Sequence, residues 1–327
     1  MRMKFKWCVG AALVASVSAR AQTAAYPSQP VRIISDSAAG STPDVSLRLL
    51  AEELGKTWGQ QVVVVNQPGA GGAIAARAAA AAAPDGYTLF MPASSMFLQI
   101  KGTPGVADNL PLELPRDFEP IGFATLLPMF IGVSRANGAA TLGELLDRAR
   151  ARPDDVAYAT TGRGRFTHLT MEKLQQAANV RMRLVAYAGG PAAELSDVAT
   201  GRVAAMIEGY SGVASAMQSG GVLRGLAVST KARLPGFEDL PTIAETVPGF
   251  EANGWNVMVA PKGAPADIVN KIAADMNKAL AGKELNAKYN ALGAFTQPMT
   301  PGETAAFARS EQAAWRPILE KVSRENP

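Results

Sequence analysis

Residues 31–54 read VRIISDSAAGSTPDVSLRLLAEEL. A short apolar strand, Val31 to Ile34, breaks into small residues from Ser35 to Thr42, and a helix then opens with Pro43 and Asp44. Proline suits the first helical turn because its missing N–H would have no partner there. The Thr42 hydroxyl is placed to act as N-cap. Leu47, Leu50 and Leu54 fall on one helical face. Ser37, Ala38, Ala39, Gly40, Ser41 and Thr42 leave backbone N–H groups uncovered where the helix dipole is positive, which makes a seat for an anion.

The same strand, loop and helix unit recurs outward from this stretch. Residues 62–65 form a β-branched run, followed by the loop NQPGAGG at 66–72 and an Ala-rich helix over 73–83. A turn at Pro84-Asp85-Gly86 leads to a strand at 87–91. A Pro/Gly-rich loop occupies 102–115, and the apolar run 121–133 is long for one strand. A second series follows. It has helices at 142–150 and 169–178, strands at 156–159 and 184–187, a turn at 188–191, a helix to Thr200, and strands at 203–207 and 223–228. Residues 254–260 read as a strand returning to the first series. Ile268, Ile272, Met276 and Leu280 make a helical stripe. Thr300-Pro301-Gly302-Glu303 is a capping box, and Pro317 predicts a kink or break in the helix that follows. Alternation of this kind argues for parallel sheet with helices on its faces. Two crossings, near 122–133 and 252–259, predict two lobes joined by a hinge: 26–125 with 255–327, and 126–254.

Charge and leader composition narrow the function classes. The chain of 327 residues carries 32 basic and 28 acidic residues. Four of the basic ones, Arg2, Lys4, Lys6 and Arg20, lie in the first 21 residues, which hold no acidic residue; the remainder is formally neutral. A basic surface for nucleic acid is therefore not expected. Residues 1–21 read as a cleavable signal peptide: a basic start, an apolar run from Trp7 to Val17, and Ala19-Arg20-Ala21. The run is shorter than the roughly 18–20 residues of a membrane span. Cys8, the one cysteine, lies inside this segment, so the mature chain has neither disulfide nor thiol chemistry.

Nucleotide and catalytic motifs are broken or missing. Gly69 and Gly71 begin a dinucleotide fingerprint that Ile74 spoils, and Gly162 and Gly164 begin another that Thr167 ends. These glycines serve tight turns equally well. No G-x-S-x-G elbow is present, and His168 is the sole histidine, so neither a nucleophile nor a metal set is visible. Its plain role is an imidazole bonded near a helix start. The loop TTGRGRF at 160–166 lies between a strand and a helix, where α/β sheets bind ligands. Thr161, Gly162, Arg163, Gly164 and Arg165 bring backbone and guanidinium donors; the two arginines either pair with a carboxylate or stay solvated. Phe166 either stacks on a ligand or anchors the loop in the core.

Several segments together resemble the Bug-type extracytoplasmic solute-binding proteins of tripartite tricarboxylate transporters. They are YPSQPVR at 26–32, NQPGAGG at 66–72, PDGYTL at 84–89, RDFEP at 116–120, Thr167-His168-Leu169, LRGLAV at 223–228, LPTIAE at 240–245 and Ala291-Leu292-Gly293. The resemblance covers about residues 26–323 and rests on their order and spacing together. It implies an α/β, periplasmic-binding-protein-like fold: two α/β lobes with a hinge and an interlobe ligand cleft. It also implies a monomer in the periplasm that binds a small organic carboxylate, with no cofactor, no metal and no catalysis. The liganded form would meet membrane transporter subunits or, alternatively, a sensor protein; an enzyme on the same scaffold would need a reactive group in the cleft. In the first contact loop Gly40 and Asp44 match the family's turn, while Asp36, Ser37, Ala38, Ala39, Ser41 and Thr42 replace its usual prolines and glycines. Arg163 and Arg165 stand where small or amide-bearing residues are common. Ser94, Tyr187 and Glu208 are further candidates for ligand polarity, with Phe166 or Trp255 as an aromatic wall and His168 beside them.

Overall fold

The computed structural model describes residues 26–98, 114–136, 138–187, 191–217 and 220–324. The expected leader, most of the 102–115 loop and the turn at 188–190 lie outside them. In chain order the elements are β1 (Val31–Ser35), α1 (Thr42–Trp58), β2 (Val62–Asn66), α2 (Ala73–Ala80), β3 (Thr88–Met91), α3 (Ser94–Phe97), β4 (Phe118–Ser134), α4 (Leu142–Ala151), β5 (Ala157–Thr160), α5 (Phe166–Ala178), β6 (Arg183–Ala186), α6 (Pro191–Ala199), β7 (Ala205–Gly209), α7 (Tyr210–Met217), β8 (Leu223–Val228), β9 (Asn253–Pro261), α8 (Ala266–Leu280), α9 (Lys283–Ala291) and α10 (Pro301–Arg324).

The apolar run expected to cross the molecule is a single 17-residue strand, β4, which at roughly 3.3 Å per residue spans about 55 Å. Its first part, Phe118 to Pro128, pairs antiparallel with β9. From Met129 onward it pairs with β7, and from Phe130 with β8. The sheet order is β2-β1-β3-β9-β4-β7-β5-β6, with β8 also on β4. The sheet thus has two halves, each a set of parallel strands (β2, β1, β3; and β7, β5, β6) joined through β4. Crossovers that place helices on both faces bury such strands, which explains their apolar runs. In α1, Leu47, Leu50 and Leu54 are fully buried, each contributing roughly 1.5–3 kcal/mol of apolar burial. Ile272, Met276 and Leu280 do the same for α8.

Three local expectations need correction. The N-cap of α1 is Ser41, not Thr42, and its hydroxyl donates to the Ala38 carbonyl instead of capping the helix. The orphan N–H of Gly40 is taken by the Asp44 carboxylate at 2.8 Å. Of the kink or break expected at Pro317, the break is absent, since α10 continues to Arg324; Trp315 and Ile318 are buried on either side, so both turns stay packed although proline removes one hydrogen bond. α5 starts at Phe166, three residues earlier than the apolar pattern placed it. The capping box at the head of α10 forms as expected, with Glu303 N–H on Thr300 Oγ1 at 3.2 Å and Thr300 N–H on Glu303 Oε2 at 2.8 Å.

Candidate functional site

The parallel strands end on a common cavity of about 570 Å³. Its floor is Leu127, Pro128 and Met129, where β4 changes partners. One wall is the loop from Asp36 to Pro43 after β1, with Ala93, Ser94 and Ser95 after β3 and Gly254, Trp255 and Asn256 of β9. The facing wall is Thr161, Arg165, Phe166 and Thr167, with Glu208, Gly209 and Tyr210 at the end of β7. Ligands of α/β sheets bind at such carboxyl ends because helix N-termini and loop N–H groups converge there.

Of the residues expected from sequence, Ser37, Ala38, Ala39, Gly40, Ser41, Thr42, Ser94, Thr161, Arg165, Phe166 and Glu208 line this cavity. Asp44, Gly162, Arg163, Gly164, His168 and Tyr187 do not. Asp44 works from behind the loop. Its carboxylate accepts from Gly40 N–H, Arg48 Nε at 3.1 Å and Asn66 Nδ2 at 2.8 Å, and Asn66 also holds the Ser37 carbonyl. Burial opposes its charge, but Arg48, Gly40 and Asn66 outweigh it and hold the carboxyl below the ordinary range. The Gly40 and Ser41 N–H groups are spent inside the loop, on Asp44 and Ala38. Ala38 and Ala39 are exposed and line the cavity.

In the second loop the residues alternate. Arg165 reaches the cavity, while Arg163 lies on the side of Tyr158 and His168, where its charge is felt by both. His168 Nδ1 accepts the Gly164 N–H at 3.0 Å, so the imidazole ties the loop to α5. Burial lowers its pKa to about 4 against the opposing Glu172 charge, with the Arg163 charge adding to the lowering, so the ring is neutral. Phe166 is buried and packs edge-on against Trp315 of α10 at 5.0 Å, which anchors the loop. Tyr187 follows β6, the last strand of the sheet and well away from β4, and its hydroxyl donates to Asp197.

Sequence reasoning did not single out Ser95, Thr167, Tyr210 or Asn256. For Asn256 a signal existed: one amide in the apolar run WNVMVA. Five of the ten buried side-chain polar atoms that lack a protein partner among the described residues belong to cavity-lining residues: Asp36 Oδ2, Ser37 Oγ, Thr167 Oγ1, Glu208 Oε1 and Asn256 Oδ1. Buried polar groups are nearly always bonded, so their concentration among the residues that line one cavity singles it out as the candidate site. Burial raises the pKa of both Asp36 and Glu208; the Arg165 charge pulls each back, as do the Ala93 N–H at Asp36 and Thr161 with Gly209 at Glu208. The two walls meet at one end. A Cβ on Gly293 would lie 2.5 Å from the Cβ of Tyr210, and one on Gly209 would lie 3.5 Å from Thr42 Oγ1.

The sequence profile described as tripartite tricarboxylate transporter family receptor matches residues 46–324. The chain belongs to this family. A UPF0065 protein of Bordetella bronchiseptica is 35% identical over 306 residues, covering 94% of this chain and 89% of that protein. BugT of Bordetella pertussis is 32% identical, with 94% of each chain covered. Among solved structures, an R. palustris protein with adipate superposes with a TM-score of 0.80 at 28% identity, over 91% of this chain and 98% of that one. MatC from Rhodopseudomonas palustris, with bound malate, gives a TM-score of 0.75 at 26% identity, over 90% of this chain and all of that one. The Bug-type, periplasmic-binding-protein-like fold expected from the sequence is thereby established.

Proposed function

We propose that this protein is an extracytoplasmic receptor that captures a small organic carboxylate in the cavity and delivers it to a tripartite tricarboxylate-type membrane transporter. The observation that carries this reading is the polar cavity over the changeover of β4, whose unpartnered groups come from both walls. Arg165 supplies a charge-assisted contact to one carboxylate, and the Ala38 and Ala39 N–H groups supply backbone donors from the other side. Residues 26–125 with 255–327 form one lobe and 126–254 the other. β4 and β9 carry the bend between them, and a ligand touching both walls favours the closed arrangement through its differential contacts. The leader is removed on export, near Gln22. Membership of a receptor family and the two solved relatives with acids bound support the reading. Capture needs no bond breaking, so the bound acid leaves as it entered.

A thermal-shift screen of small organic acids tests this. A ligand at a hundred times its Kd stabilises the native state by about 2.7 kcal/mol. For a chain of about 300 residues that corresponds to a rise in Tm of roughly 4 °C. Small-angle scattering with the same acid is expected to show contraction. A screen in which no acid raises Tm contradicts the proposal.

A further inference from the structure

Behind the cavity stands a second acid. Glu194 lies in the first turn of α6, is fully buried, and neither of its carboxyl oxygens has a partner among the described residues. Register places it against Glu208. Side chains two apart on a strand share a face, so Glu208 of β7 points the same way as Met206. Met206 packs in one cluster with Val198 of α6 and Val213 of α7. Val198 and Glu194 are four apart on α6 and share a helical face. One step along each element from Met206 and Val198 are Glu208 and Glu194, and the Glu208 charge is felt at Glu194. Glu208 is the outer acid: it is partly exposed and lines the cavity. Among the described residues no cation acts on the inner one. The elements packed on α6 are β4, β5, β7 and α7. β4 carries only Glu119, at its far end on Lys262; β5 brings Tyr158, which donates to Glu172; α7 brings Tyr210. On α6 itself Asp197 is taken by Tyr187 and Arg202. On α5, packed against β7, His168, Glu172 and Lys173 are engaged by Gly164, Tyr158 and the Glu251 carbonyl. The facing wall of the cavity adds Asp36. Arg165, Thr161 and Gly209 favour the Glu208 charge, but burial outweighs them and pushes it up to about 7; burial and then Glu208 push Glu194 up to about 9.

We propose that the receptor takes up a proton together with its anionic ligand, and that the Glu194–Glu208 pair holds it. The inference rests on the receptor reading above and adds a regulation to it. An anion entering the cavity brings negative charge to a carboxyl that already has a second acid behind it, and like charges in one site favour protonation. Glu208 is then neutral beside the anion. Glu194 touches no ligand; it is a positioning residue that acts through Glu208, standing where a cation would otherwise hold that carboxylate ionised. The proton comes from the buffer and returns to it on release. The complex holds more protons than the free protein, so affinity is full below about pH 7 and falls as pH rises above it, about tenfold per pH unit for each whole proton taken up. The two acids titrate as one unit, so the uptake belongs to the pair.

Succinate, adipate and L-malate, all fully ionised from pH 7 upward, are titrated calorimetrically into the full mature chain. Buffers of different ionisation enthalpy are used at each pH, and the slope of heat against that enthalpy counts the protons. The wild type is expected to take up about half to one proton per acid at pH 8 and to bind about tenfold more weakly at pH 9 than at pH 7. Glu208→Gln is expected to lose most of the uptake and the pH dependence. At pH 9.5, where the free protein ionises Glu194 as well, the wild type is expected to take up more protons than Glu194→Gln. Binding by the wild type without proton uptake overturns the inference and leaves the receptor standing. Uptake that survives in Glu208→Gln places the proton elsewhere, such as on Asp36, and overturns it too. Equal uptake by the wild type and Glu194→Gln at pH 9.5 overturns the pair. Absence of binding by all three acids counts against the receptor reading and the inference with it. Should Glu208→Gln fail to fold, Glu208→Ala replaces it.

Discussion

The contact between Gly293 and Tyr210 gives a perturbation whose size follows from the structure. Gly293 has a φ of +63°, and an alanine Cβ there would sit 2.5 Å from Tyr210 Cβ, 3.0 Å from Cγ and 3.3 Å from Cδ1. Carbon atoms separate to about 3.5–4.0 Å at best packing, so the neighbours must yield by an ångström or more. Two costs combine in Gly293→Ala. The left-handed backbone costs roughly 1–2 kcal/mol for a residue with a Cβ. Overpacking adds typically about 1–3 kcal/mol. The expected destabilisation is therefore about 2–5 kcal/mol. Gly249→Ala is the control. Gly249 has a φ of +78° with nothing within 4 Å of an added Cβ, so it carries the backbone cost alone, roughly 1–2 kcal/mol. Urea unfolding followed by circular dichroism measures both variants under one buffer. Gly293→Ala losing no more stability than Gly249→Ala would refute the claim that the two walls pack closely at this end.

Two further outcomes are expected. Glu194 is fully buried with both carboxyl oxygens unpartnered among the described residues, and burial, with the Glu208 charge second, raises its pKa above the ordinary 4.5. The folded form then binds more protons than the unfolded one above that pH, so this carboxyl's contribution is intact below about 4.5 and stability falls as pH rises through the raised values. Glu194→Gln is expected to raise Tm at pH 8.5 and to leave it nearly unchanged at pH 4; an equal shift at both pH values rejects the assignment of a neutral buried acid. N-terminal sequencing of protein recovered from the periplasm is expected to begin near Gln22, and an intact Met1 terminus on that material would disprove export with cleavage.

How much of this was legible in the sequence differs by level. Period and punctuation located the strands because parallel strands buried on both faces must be apolar. The 13-residue apolar run of the expected crossing proved to be the core of β4 because no loop could be so apolar for so long. Placement within loops was less legible. The sequence offered Arg163 and Arg165 alike, and only the turn through Gly162 and Gly164, tied by His168, separates a cavity residue from its neighbour. Asp44 matched a family motif, yet it acts by bonding Gly40 from behind. Asn256 and Thr167 reach the cavity through strand register and helix phase, which one chain read alone does not fix to a single residue. Tyr187 had the right chemistry at the end of a strand, but strand order places it too far from β4.

Calorimetric titration of the wild type and Arg165→Ala with the tightest-binding small acid tests the central claim most directly. The wild type is expected to bind one acid per chain. Arg165→Ala is expected to lose about 1.5–3 kcal/mol of binding, toward the lower end because Arg165 is exposed. Its Tm without ligand should hardly move, and the acid recovered after titration should be chemically unchanged. Unaltered affinity in Arg165→Ala, or turnover of the acid in proportion to protein, would contradict capture of a carboxylate in this cavity.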